Sequence, residues 1–165
     1  MNNIEKILEK LISFKTVSFN KNLDLISYIQ NYLAELNINY HLDFNRTKDK
    51  ANIFFQVGPN IPGGIILSAH TDVVPIEGQE WNKDPFNLTK KNNLYYGRGT
   101  CDMKGFISVV LSSLTKMQSV ELKKPFQIAL SYDEEIGCLG APKMISKIKK
   151  KLPTASLVIV GEPTS

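Results

Sequence analysis

A histidine and several carboxylates stand at the ends of short apolar runs, far apart in this sequence. Ile65-Ile66-Leu67-Ser68-Ala69 leads into His70-Thr71-Asp72, Phe126-Gln127-Ile128-Ala129-Leu130 leads towards Asp133-Glu134-Glu135, and Leu157-Val158-Ile159-Val160 leads into Gly161-Glu162-Pro163-Thr164. A further acid, Asp102, opens the apolar stretch 103–117. Neutral imidazole and ionised carboxylates are ligands for divalent cations, and one imidazole with several acids suits a hydrolytic zinc centre. Adjacent glutamates can divide the chemistry, one binding a metal and the other taking a proton from an activated water. A carboxylate such as Asp102 can bridge two ions. Asp72, two residues beyond His70 on extended chain, lies on the same side and can fix the imidazole tautomer.

Each cluster taken alone also has a structural reading. His70 could be a buried histidine satisfied by a nearby acid, and Asp102 a helix N-cap. The acidic triplet could be a solvated turn, and Gly161-Glu162-Pro163 a plain turn. The recurrence of one pattern, apolar run then ligand-type side chain, favours a common site. His41 has no acid or cysteine cluster near it in sequence and reads as structural or exposed.

Positioning these side chains needs an alternation of strands and helices. Ile4, Ile7, Leu8 and Leu11 predict a helix over 3–13, and Ile26, Ile29, Leu33 and Leu36 another over 21–36. Strands are expected near 38–44, 52–57, in the run reaching His70, at 94–96, 126–132 and 156–161. Helices are expected over 103–117 and 140–150, the latter with Pro142 in its first turn. Residues 75–93 read as a long irregular connection. The pattern predicts an α/β three-layer sandwich with a mainly parallel or mixed central sheet. In such sheets ligands gather beyond the carboxyl ends of the strands, so the clusters are expected to meet in one crevice.

The 165 residues make one domain, with 42% hydrophobic and 22% charged residues, as in a soluble globular protein. The net charge of +4 comes almost wholly from lysine, since only Arg46 and Arg98 are arginine. Lysine is poorly suited to bidentate phosphate reading, which argues against a nucleic-acid partner. Two cysteines without a CxxC pair, no apolar leader and no membrane-length run predict a reduced, cytoplasmic setting with no membrane partner.

In this order, His70-Thr71-Asp72-Val73-Val74-Pro75, Gly97-Arg98-Gly99 with Asp102-Met103-Lys104-Gly105, Asp133-Glu134-Glu135 and Gly161-Glu162-Pro163-Thr164 resemble the motifs of the co-catalytic zinc amidohydrolases. That family holds acetylornithine deacetylases, succinyl-diaminopimelate desuccinylases, aminoacylases and related carboxypeptidases. Trp81 with Asp84-Pro85-Phe86 also fits its pattern, and Cys101 and Cys138 within their motifs are most similar to the acetylornithine deacetylase group. The resemblance implies that His70 and Glu162 bind one metal, Asp102 bridges, Glu135 binds a second, Glu134 is the general base and Asp72 orients His70. It implies zinc, with cobalt as an alternative, a small N-acyl amino acid as substrate, and homodimeric complete enzymes. Members of the family continue past the last motif with a lid domain and a returning segment that carries a further histidine ligand. Residues 1–165 are therefore expected to form the N-terminal portion of the catalytic domain, holding one zinc well and a second weakly. Three readings stay open: part of an active deacylase, a non-catalytic remnant, and a subunit completed by a complementary C-terminal segment.

Overall fold

The computed structural model describes residues 3–164. Helix α1 (Asn3–Ser13) buries Ile7, Leu8, Leu11 and Ile12, and α2 (Leu23–Glu35) buries Leu25, Ile26, Ile29 and Leu33. Strands β1 (Tyr40–Phe44) and β2 (Ala51–Val57) follow, then β3 (Gly64–His70). A small hairpin, β4 (Thr89–Lys91) and β5 (Leu94–Tyr96), leads to α3 (Lys104–Gln118). The chain continues through β6 (Phe126–Ser131), α4 (Ala141–Lys151) and β7 (Ala155–Val160).

The main sheet has the order β1-β2-β6-β3-β7. β2 is antiparallel to both β1 and β6, whereas β3 is parallel to both β6 and β7. β2 is almost continuously apolar and buried, as a strand covered on both faces must be. The main core joins α1, α2 and α3 to one sheet face through residues such as Leu11, Ile29, Ile107, Leu111, Ile53 and Phe55. A smaller cluster packs Met144 and Ile148 of α4 against Phe54 and Ala129 on the other. The result is the expected three-layer α/β arrangement with a mixed sheet. Among the described residues no helix is long and apolar enough to cross a membrane.

Most elements lie within one or two residues of their predicted limits. The exception is the tail of the 75–93 connection, which forms β4. Asn92 and Asn93, with φ of 51° and 60°, make the two-residue turn into β5. Asparagine tolerates such left-handed conformations, and the turn type suits strand twist.

β7 is the outer strand beside β3, and Leu157, Val158, Ile159 and Val160 remain 42–56% exposed. An apolar strand with one unpaired edge is a template for association. A polypeptide of residues 1–165 is expected to self-associate, and Val158→Lys to shift it towards monomer, as read by size-exclusion chromatography with light scattering. A soluble wild-type monomer would contradict this.

Candidate metal centre

The site forms where parallel strands end side by side. His70 is the last residue of β3, the acidic triplet follows β6 on one side, and Glu162 follows β7 on the other. Two backbone bonds set the level of these ends: Thr71 N–H donates to Ser131 O (2.8 Å) and Gly161 N–H to Ser68 O (3.2 Å). Gly161 has no room for a side chain, because a Cβ there would come within 2.1 Å of the Phe106 ring of α3. Asp102 arrives separately, from the turn that precedes α3. Met103, not Asp102, holds the N-cap position of that helix, so the capping role open to Asp102 in the sequence is not realised.

His70 is 1% exposed, while the Asp102, Glu134 and Glu162 side chains are 37–46% exposed. The imidazole thus forms the floor of the crevice and the acids its open rim. His70 Nδ1 lies 2.8 Å from the Asp72 backbone carbonyl and 3.5 Å from that residue's carboxylate. The carbonyl is the nearer partner, so the backbone of Asp72 as well as its carboxylate stands at the ring. A carbonyl can only accept, so Nδ1 carries hydrogen and Nε2 faces the acids. From Nε2 the distances are 2.9 Å to Asp102, 3.5 Å to Glu162 and 3.9 Å to Glu134.

The Asp72 carboxylate has other work. It accepts from Ser18 Oγ (2.7 Å), from Glu134 N–H (3.0 Å) and from Glu135 N–H (3.3 Å). It therefore anchors the turn bearing both glutamates. Burial opposes ionisation of Asp72, but His70, Ser18 and the Glu134 amide outweigh it and hold its pKa down. Asp133, first of the triplet, turns away from the crevice and pairs with Lys50.

Crowding of like charge shows in the other groups. Burial and then the Asp102 charge raise the Glu135 carboxyl. Burial also raises Glu162; the His70 charge opposes this, and Asp102 and Glu134 reinforce it. Burial works against a charged His70, yet Asp72, Asp102 and Glu162 push its pKa up to about 9. One ligand atom from each of His70, Asp102 and Glu162 lies within 4.8 Å of the others. An imidazole nitrogen and two carboxylate oxygens, set among further acids that repel one another, fit a divalent cation. The Glu135 carboxylate is outside that three-atom set, though the charges of Asp102, His70, Asp72 and Glu134 all act on it. His41 is remote from it, on β1, with its ring tilted against Phe54 at 5.1 Å.

Residues 66–165 match peptidase family M20/M25/M40. The chain belongs to that family. Among its relatives are acetylornithine deacetylases of Buchnera aphidicola subsp. Schizaphis graminum, 39% identical over 97% of this chain and 42% of theirs, and of Salmonella typhimurium, 37% identical over 87% and 37%. The fold matches human carnosine dipeptidase 1 with a TM-score of 0.84 and 17% identity, over 98% of this chain and 38% of that one. It matches the M20 family metallo-carboxypeptidase Sso-CP2 of Sulfolobus solfataricus equally well, at TM-score 0.84 and 22% identity, over 98% and 37%. The chain thus spans about two fifths of the length of these family members.

Other residues of this M20 family chain support the site through partners that the sequence did not point to. Ser18 reaches Asp72 because residues 16–18 run parallel to 71–73, with a bridge at Val17 and Val73 and a bond from Thr16 Oγ1 to Thr71 O (2.6 Å). Lys104 is wholly buried; its Nζ donates to Leu11 O (3.0 Å) and Phe14 O (2.7 Å), tying the end of α1 to the start of α3. Burial pulls its pKa down to about 7, with Asp72 opposing. Gly99 leaves room for this side chain: at φ +87°, a Cβ would meet Val73 at 2.8 Å and Lys104 at 3.2 Å. Lys104 stands within the Asp102-Met103-Lys104-Gly105 motif, but nothing local in the sequence marks Leu11 and Phe14 as its partners.

Proposed function

We propose that this chain supplies the metal-binding part of an amide hydrolase acting on N-acyl amino acids, with N-acetylornithine as substrate. The observation that carries the hydrolase reading is the convergence of His70, Asp102 and Glu162 on one point, with Glu134 at its rim. The choice of substrate rests on the acetylornithine deacetylases among the relatives. His70, Asp102 and Glu162 would hold a zinc ion, or cobalt in its place, with Asp102 shared towards a second ion at Glu135. A metal held there polarises the amide carbonyl and acidifies a water molecule.

The chain's own residues supply the proton traffic. The Glu134 carboxylate takes a proton from the attacking water as the new C–O bond forms. It returns that proton to the amide nitrogen as the C–N bond breaks, releasing acetate and ornithine. Asp72 keeps Glu134 in place through the Glu134 backbone amide and keeps a proton on His70 Nδ1, so that Nε2 is the nitrogen that gives up its proton to a metal. Both cysteines are free, in keeping with a reduced cytoplasmic setting, where the ornithine formed would serve arginine biosynthesis. The reading includes a homodimer and a C-terminal segment that completes the site.

The same groups would serve succinyl-diaminopimelate or other acylated amino acids, so the assay should compare substrates. The chain together with that C-terminal segment, loaded with zinc or cobalt, is expected to release acetate from N-acetylornithine faster than it cleaves N-succinyl-diaminopimelate or N-acetylmethionine. Preference for either of those would replace the substrate, and metal binding without hydrolysis of any would favour a non-catalytic remnant.

A further inference from the structure

The turn that carries Glu134 and Glu135 is held at four consecutive residues. Tyr132 N–H donates to Asn52 Oδ1 (3.1 Å), Asp133 pairs with Lys50 (2.5 Å), and the amides of Glu134 and Glu135 donate to Asp72 (3.0 and 3.3 Å). The Lys50 contact differs in kind from the others. It joins two charged side chains that are 7% and 10% exposed, outside the crevice. Asp133 has a φ of +55°, a left-handed conformation that aspartate tolerates. That conformation separates its side chain from those of the glutamates that follow.

Asp72 and Asn52 hold the turn through its backbone amides, and Cys138 and Leu139 N–H close it on Glu134 O and Asp133 O. The Lys50–Asp133 pair adds a side-chain tie from the turn to the end of the β1–β2 connection. Lys50 is itself held by the β1–β2 connection, where Asn45 Oδ1 accepts from Asp49 N–H (3.1 Å) and Lys50 N–H (3.2 Å). We propose that Lys50 is a positioning residue of the metal centre, fixing the Glu134 and Glu135 carboxylates through its ion pair with Asp133. The inference rests on the metal-dependent hydrolase reading for its effect on turnover, but not for its effect on the turn.

A buried pair could instead serve stability alone, and two variants of the full chain separate these roles. Lys50→Met leaves the Asp133 charge buried without its partner, which destabilises the fold. Combining it with Asp133→Asn removes the stranded charge and should recover most of the lost melting temperature. A purely structural pair requires turnover to recover along with it. Positioning requires kcat of the double variant to stay about 10–100-fold below wild type, as for lost outer-sphere partners of metal sites. KM should change by less than about twofold, since the lost interaction is one of the transition state. The cobalt-loaded double variant should also show a changed visible absorption spectrum, through the displaced Glu135. Hydrogen exchange in the metal-free protein gives a reading independent of activity. The amides of Glu134 and Glu135 should exchange at least about tenfold faster in the double variant, while those of Ile128 and Leu130 in β6 keep wild-type protection. Wild-type exchange at Glu134 and Glu135, or full recovery of kcat with stability, would overturn the proposal. If wild-type protein neither binds cobalt nor hydrolyses any acyl amino acid, the functional reading falls, and the exchange measurement still decides the role of Lys50.

Discussion

Glu134→Gln is expected to lower kcat by about a hundred- to ten-thousandfold, the usual contribution of a general acid–base group, while metal content stays at the wild-type level. The amide has nearly the shape of the carboxylate and leaves the backbone bond from residue 134 to Asp72 in place. It cannot take the water's proton, nor carry that proton to the leaving nitrogen. Glu134 is also the farthest of the three rim acids from His70 Nε2, at 3.9 Å, so a bound ion depends on it least. Glu135→Gln should act differently, weakening the second ion. Its carboxyl is raised by burial and by Asp102, and an ion next to both would relieve that repulsion. Metal analysis after dialysis, with steady-state kinetics on N-acetylornithine, separates the two. A Glu134→Gln enzyme with near-normal kcat would remove the general-base assignment.

His70, Glu134, Glu135 and Glu162 could be read as candidate site residues because each follows an apolar strand, and parallel neighbours β6, β3 and β7 bring their carboxyl ends together, whereas Asp102 comes from the turn before α3. Strand ends that adjoin in space do not need to adjoin in sequence. What holds the ligands was harder to read. Ser18 and Asp72 are 54 residues apart, Lys50 and Asp133 83, and Lys104 and Leu11 93. A serine or lysine carries no local mark of such a partner, since these residue types usually face solvent. The acidic triplet illustrates the same limit: composition made its members alike, while the fold sends Asp133 to a buried lysine and leaves Glu134 at the rim. The β4–β5 hairpin is a different case. Asn92-Asn93 was a usable turn signal, but the flanking lysines hid a strand that is too exposed to show apolar alternation.

Zinc binding by His70, Asp102 and Glu162 should release close to one proton at pH 7 from the imidazole, and should strengthen as pH rises. In the metal-free protein burial disfavours a charged His70, but Asp72, Asp102 and Glu162 override it and hold the pKa at about 9. The ring is therefore an imidazolium at neutral pH, and Nε2 must lose its proton before it can bind an ion. The sign follows from the raised value. Without metal, the stabilisation from charged His70 is fully present below its ordinary pKa of about 6.5 and is lost as pH rises through about 9. Metal binding competes with that proton, so the His70 contribution to apparent affinity grows about tenfold per pH unit up to about 9 and then levels off. Titration calorimetry at pH 7 in two buffers of different ionisation enthalpy gives the proton count, and a series from pH 6 to 8 gives the slope. His70→Ala should abolish this proton release and weaken zinc by more than the roughly 10–100-fold cost of losing an outer-sphere partner. Serine at position 18 provides the comparison: Ser18→Ala removes one bond to Asp72 without touching Nε2, so it should weaken zinc only within that range and leave the proton count unchanged. Zinc binding that released no proton at pH 7 would mean that Nε2 is already bare, and that the acids around His70 do not set its charge.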